Sequence, residues 1–109
     1  ALREAGVPLA VATDLNPGSS PTGDLWACAT LACVTMGLTV TEALLGITRV
    51  GAQALGLDDV GLVRPGAAGD LVLMRPPAGE PIHEDALVQR LDGHRAPVVV
   101  RDGAVVIGG

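Results

Sequence analysis

Hydrophobic and polar positions divide the chain into a helical first half and a β-rich second half. Residues 7–12 form a continuous apolar run between Gly6 and Asp14. Continuous rather than alternating hydrophobicity predicts a strand buried on both faces, as in a parallel sheet. After a polar stretch, apolar residues recur at helical spacing: Leu25, Ala29, Ala32, Cys33 and Met36. They predict a helix with Ser20 as N-cap, Pro21 at its first position and Gly37 at its end.

A second helix is marked by a capping box, in which Thr39 and Glu42 satisfy each other's backbone N–H groups. Its apolar face is predicted to run along one side as far as a stop at Gly56, and comprises Leu44, Ile47, Gly51, Ala54 and Leu55.

The pattern changes near residue 60, where turn residues begin to alternate with short apolar runs. We predict a turn at Pro65-Gly66, a strand over 71–74 ended by Pro76 and Pro77, and a short helix over 84–91. A final hairpin should turn at Asp102-Gly103. Asp70 is expected to hold the Pro65-Gly66 turn. The expected division is therefore 1–58 and 59–109.

Composition narrows the classes of function. The 109 residues include one aromatic side chain, Trp26, which should lie in a core otherwise built from Leu, Val, Ile and Ala. A net charge of −5 and the absence of Lys argue against a nucleic-acid or anionic-membrane partner. No apolar run is long enough to span a membrane. Cys28 and Cys33 should point to different helix faces and stay reduced, which fits a cytoplasmic protein.

The polar stretch after the first apolar run carries the candidate chemistry. Asp14 follows the predicted strand, and loops at the carboxyl ends of strands are where α/β folds build active sites. A carboxylate there can bind a metal or accept a proton, and Asn16, Gly18 and Ser19 add polar groups and a close backbone approach. The same residues are also ordinary turn formers, so on composition alone the stretch can be a mere connection.

Four stretches together resemble the imidazolonepropionase family of the amidohydrolase superfamily over residues 7–74. They are ATDLNPGSSPT, LACVTMGLTVTEALLGIT, AQALGL and GLVRPGAAGDLVL, of which the first is the most discriminating. The resemblance implies an α/β fold: the C-terminal portion of a (β/α)8 metal-dependent hydrolase barrel plus part of a small β-sandwich domain.

The resemblance also implies an activity, the hydrolysis of 4-imidazolone-5-propanoate to N-formimino-L-glutamate in histidine degradation, with Zn²⁺ or Fe³⁺. On this basis Asp14 is a metal ligand and catalytic proton shuttle. Asn16 and Gly18 are implied to contact the ring-opened product, and Ser19 the substrate.

Most of the implied active site has no counterpart in this chain. The family's His-x-His metal pair is missing, and His83 and His94 match no family position. We therefore expect the chain alone to be inactive, and to associate with itself or with the missing barrel portion. Two alternatives stay open: a related deaminase or cyclic amidase, and a non-catalytic binding or assembly module.

Overall fold

Helices occupy the first half of the fold and a small sheet the second. The computed structural model describes residues 1–75, 78–89, 91 and 98–108; Pro76, Pro77 and His94 fall outside them. Within the described residues the helices are α1 (Leu25–Met36), α2 (Val40–Gly46) and α3 (Arg49–Ala54), and the strands are β1 (Leu71–Leu73), β2 (Val98–Arg101) and β3 (Ala104–Ile107).

Helix α1 begins at a cap that the sequence pattern missed. The Asp24 carboxylate accepts hydrogen bonds from the amides of Trp26 and Ala27, at 2.9 and 3.1 Å. The prediction of Ser20 as N-cap with Pro21 at the first position was therefore wrong, because the Ser20 hydroxyl donates to the carbonyl of Thr13 instead. The predicted end at Gly37 is confirmed: this residue has φ 72°, which favours glycine.

The predicted second helix is two helices. The capping box of Thr39 and Glu42 is confirmed at the start of α2. The chain then leaves the helical conformation at Thr48, which has φ −124° and ψ −97°. The prediction of one continuous helix between Thr39 and Gly56 was therefore wrong. The Thr48 hydroxyl donates to the Leu44 carbonyl at 2.7 Å, the kind of side-chain bond by which Thr bends helices.

The apolar run 7–12 does not form the predicted strand. Each of its residues is exposed or half-buried, and it makes no strand pairing with the described part of the chain. A backbone hydrogen bond to a helix joins the Val11 amide to the Gly46 carbonyl, at 3.0 Å. The prediction of burial on both faces was wrong for this chain because a strand needs neighbours, and none of the described strands lies beside it.

Gly46 is where this apolar run and the helices meet. It is buried in α2, and a Cβ atom there would lie 2.8 Å from both the Leu9 carbonyl oxygen and the Val11 Cγ2. Real Cβ atoms do not approach backbone that closely. The absence of a side chain at Gly46 therefore allows residues 9–11 to lie directly on α2.

The sheet is antiparallel, in the order β1-β2-β3. The hairpin turn at Asp102-Gly103 is confirmed, and both residues have positive φ, 49° and 78°, as a type I′ turn requires. Asp70 accepts a hydrogen bond from the Asp102 amide at 2.8 Å, so it holds this turn and not, as predicted, the Pro65-Gly66 turn. The predicted Pro65-Gly66 turn does form, and Gly66 in it has φ 85°.

Two further elements differ in length from their predictions. Strand β1 ends one residue earlier, at Leu73, and the predicted helix over 84–91 is a 3-10 helix of four residues, Glu84–Leu87. Neither of the two cysteines is disulfide-bonded, as expected. Within the described residues, no helix combines the length and apolar character that a bilayer span needs.

The core is built from small side chains. Its buried residues are Ala29, Ala32, Leu38, Ala43 and Val88. Trp26 is only half-buried, so the prediction that it lies in the core was wrong. The chain exposes 7422 Å², whereas a folded monomer of 10.9 kDa is expected to expose about 5,600 Å². Many large apolar side chains are exposed, among them Leu55, Val63 and Ile82.

Arg3 ties the N-terminal segment to the capping box of α2. Its Nε donates to both carboxylate oxygens of Glu42, at 2.9 and 3.0 Å, and the Thr39 amide donates to Glu42 Oε2 at 2.7 Å. The Arg3 hydrogen bond, followed by the Thr39 backbone hydrogen bond, lowers the pKa of Glu42 to about 2. This carboxylate therefore supports the fold most when it is ionised.

We predict that Gly46→Ala destabilises the chain even though Ala is the better helix former. The clash with Leu9 and Val11 should cost about 1–3 kcal/mol, which exceeds the roughly 1 kcal/mol gained from helix propensity. Urea denaturation measures the difference. Gly23→Ala is the matched control, since its Cβ would meet only Leu15 Cδ2 at 3.8 Å. Equal stability of the two variants would contradict the tight contact.

The second prediction concerns pH. Because the folded pKa of Glu42 lies below its ordinary value of 4.5, the carboxylate's contribution is complete above that pH and is lost as the pH falls towards about 2. The difference in urea midpoint between the unmodified chain and Glu42→Gln should therefore be largest above pH 4.5 and shrink towards pH 2. Glu80→Gln is the control, since Glu80 makes no hydrogen bond with the described residues. A constant difference for Glu42→Gln would refute the linkage.

Candidate functional site

The loop over residues 13–20 is organised around the side chain of Asn16. Its Oδ1 accepts hydrogen bonds from the amides of Gly18 and Ser19, at 2.9 and 2.8 Å. Its Nδ2 donates to the Asp14 carbonyl at 2.7 Å. An Asn carboxamide can imitate a peptide group in this way, and one side chain thus joins both halves of the loop.

Two further hydrogen bonds close the loop at its base. The Asn16 amide donates to the Ser20 carbonyl at 2.9 Å, which forms an isolated antiparallel bridge between these residues. The Ser20 hydroxyl donates to the Thr13 carbonyl at 2.5 Å. Ser20 is therefore part of the loop's closure, and the loop returns to its starting point before α1 begins.

Gly18 allows this closure to be tight. A Cβ atom at Gly18 would lie 3.3 Å from Asn16 Oδ1, closer than most real Cβ contacts. Its φ is not positive, so the reason for glycine here is space and not a left-handed conformation.

Asp14 has an uncommon backbone conformation, with φ 47°. This left-handed region costs a non-glycine residue about 1–2 kcal/mol, although Asp tolerates it better than most. The side chain is exposed, and its carboxylate makes no hydrogen bond with the described residues. The structure thus holds the Asp14 backbone firmly and leaves its carboxylate available to a ligand or a proton.

All four predicted site residues lie in this one loop, but they are not equally available. The Asn16 carboxamide is used within the loop. The Ser19 residue is exposed, and its hydroxyl makes only long contacts with the residues that the structure describes, both to Asn16, at 3.3 and 3.4 Å. The Asp14 carboxylate and the Ser19 hydroxyl are therefore available to a ligand, whereas the Asn16 side chain maintains the shape of the loop.

Sequence reasoning missed the residues that connect the loop to α1. The Thr22 hydroxyl accepts a hydrogen bond from the Asp24 amide at 3.1 Å, and Asp24 then caps the helix. A Thr-x-Asp sequence directly before an apolar run is the signal that could have found this start.

An apolar cleft of about 680 Å³ lies beside the loop, between residues 10–13 and α3. Its lining includes Val11, Leu25, Ile47 and Leu55, but none of the four predicted site residues. The cleft is therefore part of the uncovered apolar surface of the chain and not a pocket around Asp14.

The described residues do not by themselves fit a metal ion. A protein metal site of this kind needs several ligands, and Asp14 supplies one carboxylate. Among the residues that the structure describes, no three His, Cys, Asp or Glu side chains are placed so that they could together hold a metal ion. His83 is engaged elsewhere, since its Nδ1 accepts a hydrogen bond from the Asp85 amide at the start of the 3-10 helix.

Comparison with known proteins places the chain in a family. The family described as "Amidohydrolase family" matches residues 1–106. Imidazolonepropionase from Paracidovorax citrulli is 49% identical over 108 residues, which cover 97% of this chain and 24% of that protein. The corresponding enzyme from Alteromonas mediterranea is 46% identical over 105 residues, covering 94% and 23%.

A shorter match is closer in sequence. Imidazolonepropionase from Cereibacter sphaeroides strain KD131 is 55% identical over 73 residues, covering 67% of this chain and 18% of that protein. The chain spans about a quarter of the length of the curated relatives it matches. The match to the family covers nearly every residue described above, so the chain belongs to the amidohydrolase family, and what it resembles there is a segment of imidazolonepropionase.

Proposed function

We propose that this chain is a segment of an imidazolonepropionase, which hydrolyses 4-imidazolone-5-propanoate to N-formimino-L-glutamate in histidine degradation. The observation that carries the proposal is 43–49% identity to imidazolonepropionases over almost the whole chain, including the loop that holds Asp14. The exposed Asp14 carboxylate is a group that can take part in this hydrolysis.

The fold of the whole protein is part of the proposal. The family match implies a barrel hydrolase, and the described chain is a small α/β piece with one three-stranded sheet. We assign residues 1–58 to the last barrel strand, the active-site loop and the following helices, and residues 59–109 to a β-sandwich. The unpaired apolar run 7–12 supports this, because pairing with neighbouring barrel strands would bury it.

Asp14 would move a proton during the reaction. Hydrolysis of a cyclic amide adds water across a C–N bond, so a proton must leave the water and reach the departing ring nitrogen. A carboxylate without competing hydrogen bonds can accept that proton and return it. The Ser19 hydroxyl would bind the polar part of the substrate. The product contacts implied for Asn16 and Gly18 stay predictions.

The cofactor that we propose is Zn²⁺ or Fe³⁺, in keeping with the general use of a metal by amidohydrolases. Asp14 would supply one ligand, and the other ligands would come from outside this chain. We also propose a cytoplasmic location, which suits two free cysteines.

We predict that Asp14→Asn lowers kcat of the intact protein on 4-imidazolone-5-propanoate by about 10²–10⁴-fold, because the amide cannot accept a proton. Steady-state kinetics measure the effect. Asp58→Asn is the control, since the Asp58 side chain is exposed and, within the described part of the chain, only its backbone carbonyl is bonded, to Arg49 and Arg64. Faster turnover of guanine or adenosine-type substrates by the unmodified protein would reject the proposed substrate.

The 109-residue chain alone should be inactive, retain no stoichiometric zinc or iron, and self-associate. The reason for association is the excess apolar surface, which a second copy or the remainder of the barrel would cover. Sedimentation velocity over a hundredfold range of concentration, with metal analysis of the purified chain, tests this. A strictly monomeric chain, or one that holds a metal ion tightly, would contradict the proposed dependence on the rest of the protein.

A further inference from the structure

We propose that Ser20 is a positioning residue for Asp14. Its hydroxyl fixes the peptide unit that leads into Asp14, and thereby the direction in which the Asp14 carboxylate points. The inference rests on the proposed function of Asp14, but its structural part can be tested without any activity. It also gives a role to a residue whose predicted use as a helix cap was wrong.

The hydrogen bond that carries the proposal is short and partly shielded from water. The Ser20 hydroxyl donates to the Thr13 carbonyl at 2.5 Å, at the short end of the range for O–H···O hydrogen bonds. Both residues are half-buried. Since water competes less for a bond in such surroundings, this bond can hold a backbone carbonyl in one orientation.

The carbonyl that Ser20 holds belongs to the peptide unit shared by Thr13 and Asp14. A peptide unit is planar, so holding the Thr13 carbonyl also holds the Asp14 amide nitrogen. The angle φ describes rotation about the bond from that nitrogen to Cα, and in Asp14 it is 47°. A non-glycine residue keeps such a left-handed conformation only where its surroundings impose it. The Ser20 hydroxyl supplies one of these constraints.

Ser20 is itself held in place through its main chain. The Asn16 amide donates to the Ser20 carbonyl at 2.9 Å and pairs the two residues in an isolated bridge. Pro21 follows, and a residue before proline is restricted to extended conformations. The hydroxyl that reaches the Thr13 carbonyl is therefore attached to a fixed backbone.

A second hydrogen bond supports Asp14 from its other side, but the donor of that bond has another predicted task. Asn16 Nδ2 donates to the Asp14 carbonyl at 2.7 Å, and Asn16 is also a predicted product contact. The Ser20 hydroxyl is not a predicted ligand contact. It can therefore keep Asp14 in position while the Asn16 side chain binds a ligand.

Two variants of Ser20 separate the hydroxyl from the rest of the side chain. Ser20→Ala removes the bond to the Thr13 carbonyl, whereas Ser20→Thr keeps a hydroxyl that can make it. Thr35→Ala is the matched control, because it removes a bond of the same kind outside the loop, from the Thr35 hydroxyl to the Leu31 carbonyl at 2.7 Å in α1.

NMR on the 109-residue chain tests the structural part. A positive φ brings the amide and Hα hydrogens of a residue close together, so their NOE cross-peak is strong. Asp102 is the internal reference, since it is the other described non-glycine residue with positive φ. In Ser20→Ala the Asp14 cross-peak should weaken at least about twofold relative to that of Asp102, as the left-handed conformation is lost. Ser20→Thr and Thr35→Ala should keep the ratio.

Two NMR results would overturn the proposal. One is an unchanged ratio in Ser20→Ala, which would show that Asp14 does not need the hydroxyl. The other is a loss of the Asp14 cross-peak in Ser20→Thr, which would show that the hydroxyl is not what holds Asp14. The second result keeps the proposal testable if Ser20→Ala does not fold.

Kinetics of the intact protein test the consequence through a double-mutant cycle. Ser20→Ala should lower kcat on 4-imidazolone-5-propanoate by about ten- to hundredfold with KM within about twofold, because a misplaced Asp14 slows the chemical step. In an Asp14→Asn background the same change should lower kcat by less than about threefold, since no proton acceptor is left to misplace. Ser20→Thr and Thr35→Ala should keep kcat near that of the unmodified protein.

An equal loss of kcat from Ser20→Ala in both backgrounds would overturn the proposal, because Ser20 would then act on the structure in general and not through Asp14. If the unmodified protein does not hydrolyse the imidazolone, the proposed function fails. The NMR ratios still decide in that case whether Ser20 holds Asp14.

Discussion

The contact between Gly46 and residues 9–11 determines where the candidate loop lies. Without a side chain at Gly46, the Leu9 carbonyl and the Val11 side chain approach α2 at distances that a Cβ would forbid. The Val11 amide then bonds to the Gly46 carbonyl, and Asp14 follows three residues later. Contact with α2 therefore positions the segment before the loop, and the start of α1 fixes the segment after it.

The support for the loop extends outwards through α2. The capping box of Thr39 and Glu42 fixes the start of this helix, and Arg3 bonds to both oxygens of Glu42. The residues before the apolar run are thus attached to the same helix that the run lies on. Since these bonds are exposed, they fix geometry more than they add stability, which must come from the packing of small residues in α1 and α2.

The large exposed apolar area of the chain fits the finding that it spans only about a quarter of its relatives' length. The core is small and rich in alanine, and Trp26 is only half-buried. The exposed area is about a third above that expected for the chain's mass, so apolar surface is left uncovered. The proposed metal site would likewise be incomplete in this chain, because Asp14 would supply one carboxylate to a site that needs several ligands. We propose that Asp14 and Ser19 belong to this site, and the hydrogen bonds of the Asn16 side chain shape the loop that carries both.

Sequence patterns predicted the features that depend on a few neighbouring residues. The capping box at Thr39, the helix end at Gly37, the turns at Gly66 and Asp102-Gly103, and the grouping of Asp14 with Ser19 in one loop all follow from backbone preferences and residue types that are close together in the chain. The pattern predicted Ser20 as the cap of α1, and the structure instead uses the Ser20 hydroxyl to close the loop and the Asp24 carboxylate to cap the helix, although both residue types are good caps.

The tertiary structure decided what depends on partners distant in the chain. The apolar run 7–12 has the composition of a buried strand, but pairing requires neighbours that the described chain does not place there. Asp70 supports the distant turn at Asp102 and not the nearby one, because strand pairing brings residues 70 and 102 together. The sequence by itself determined the local turns, caps and candidate residues; only the fold decided which groups are used internally and which stay free, because that depends on contacts between distant segments.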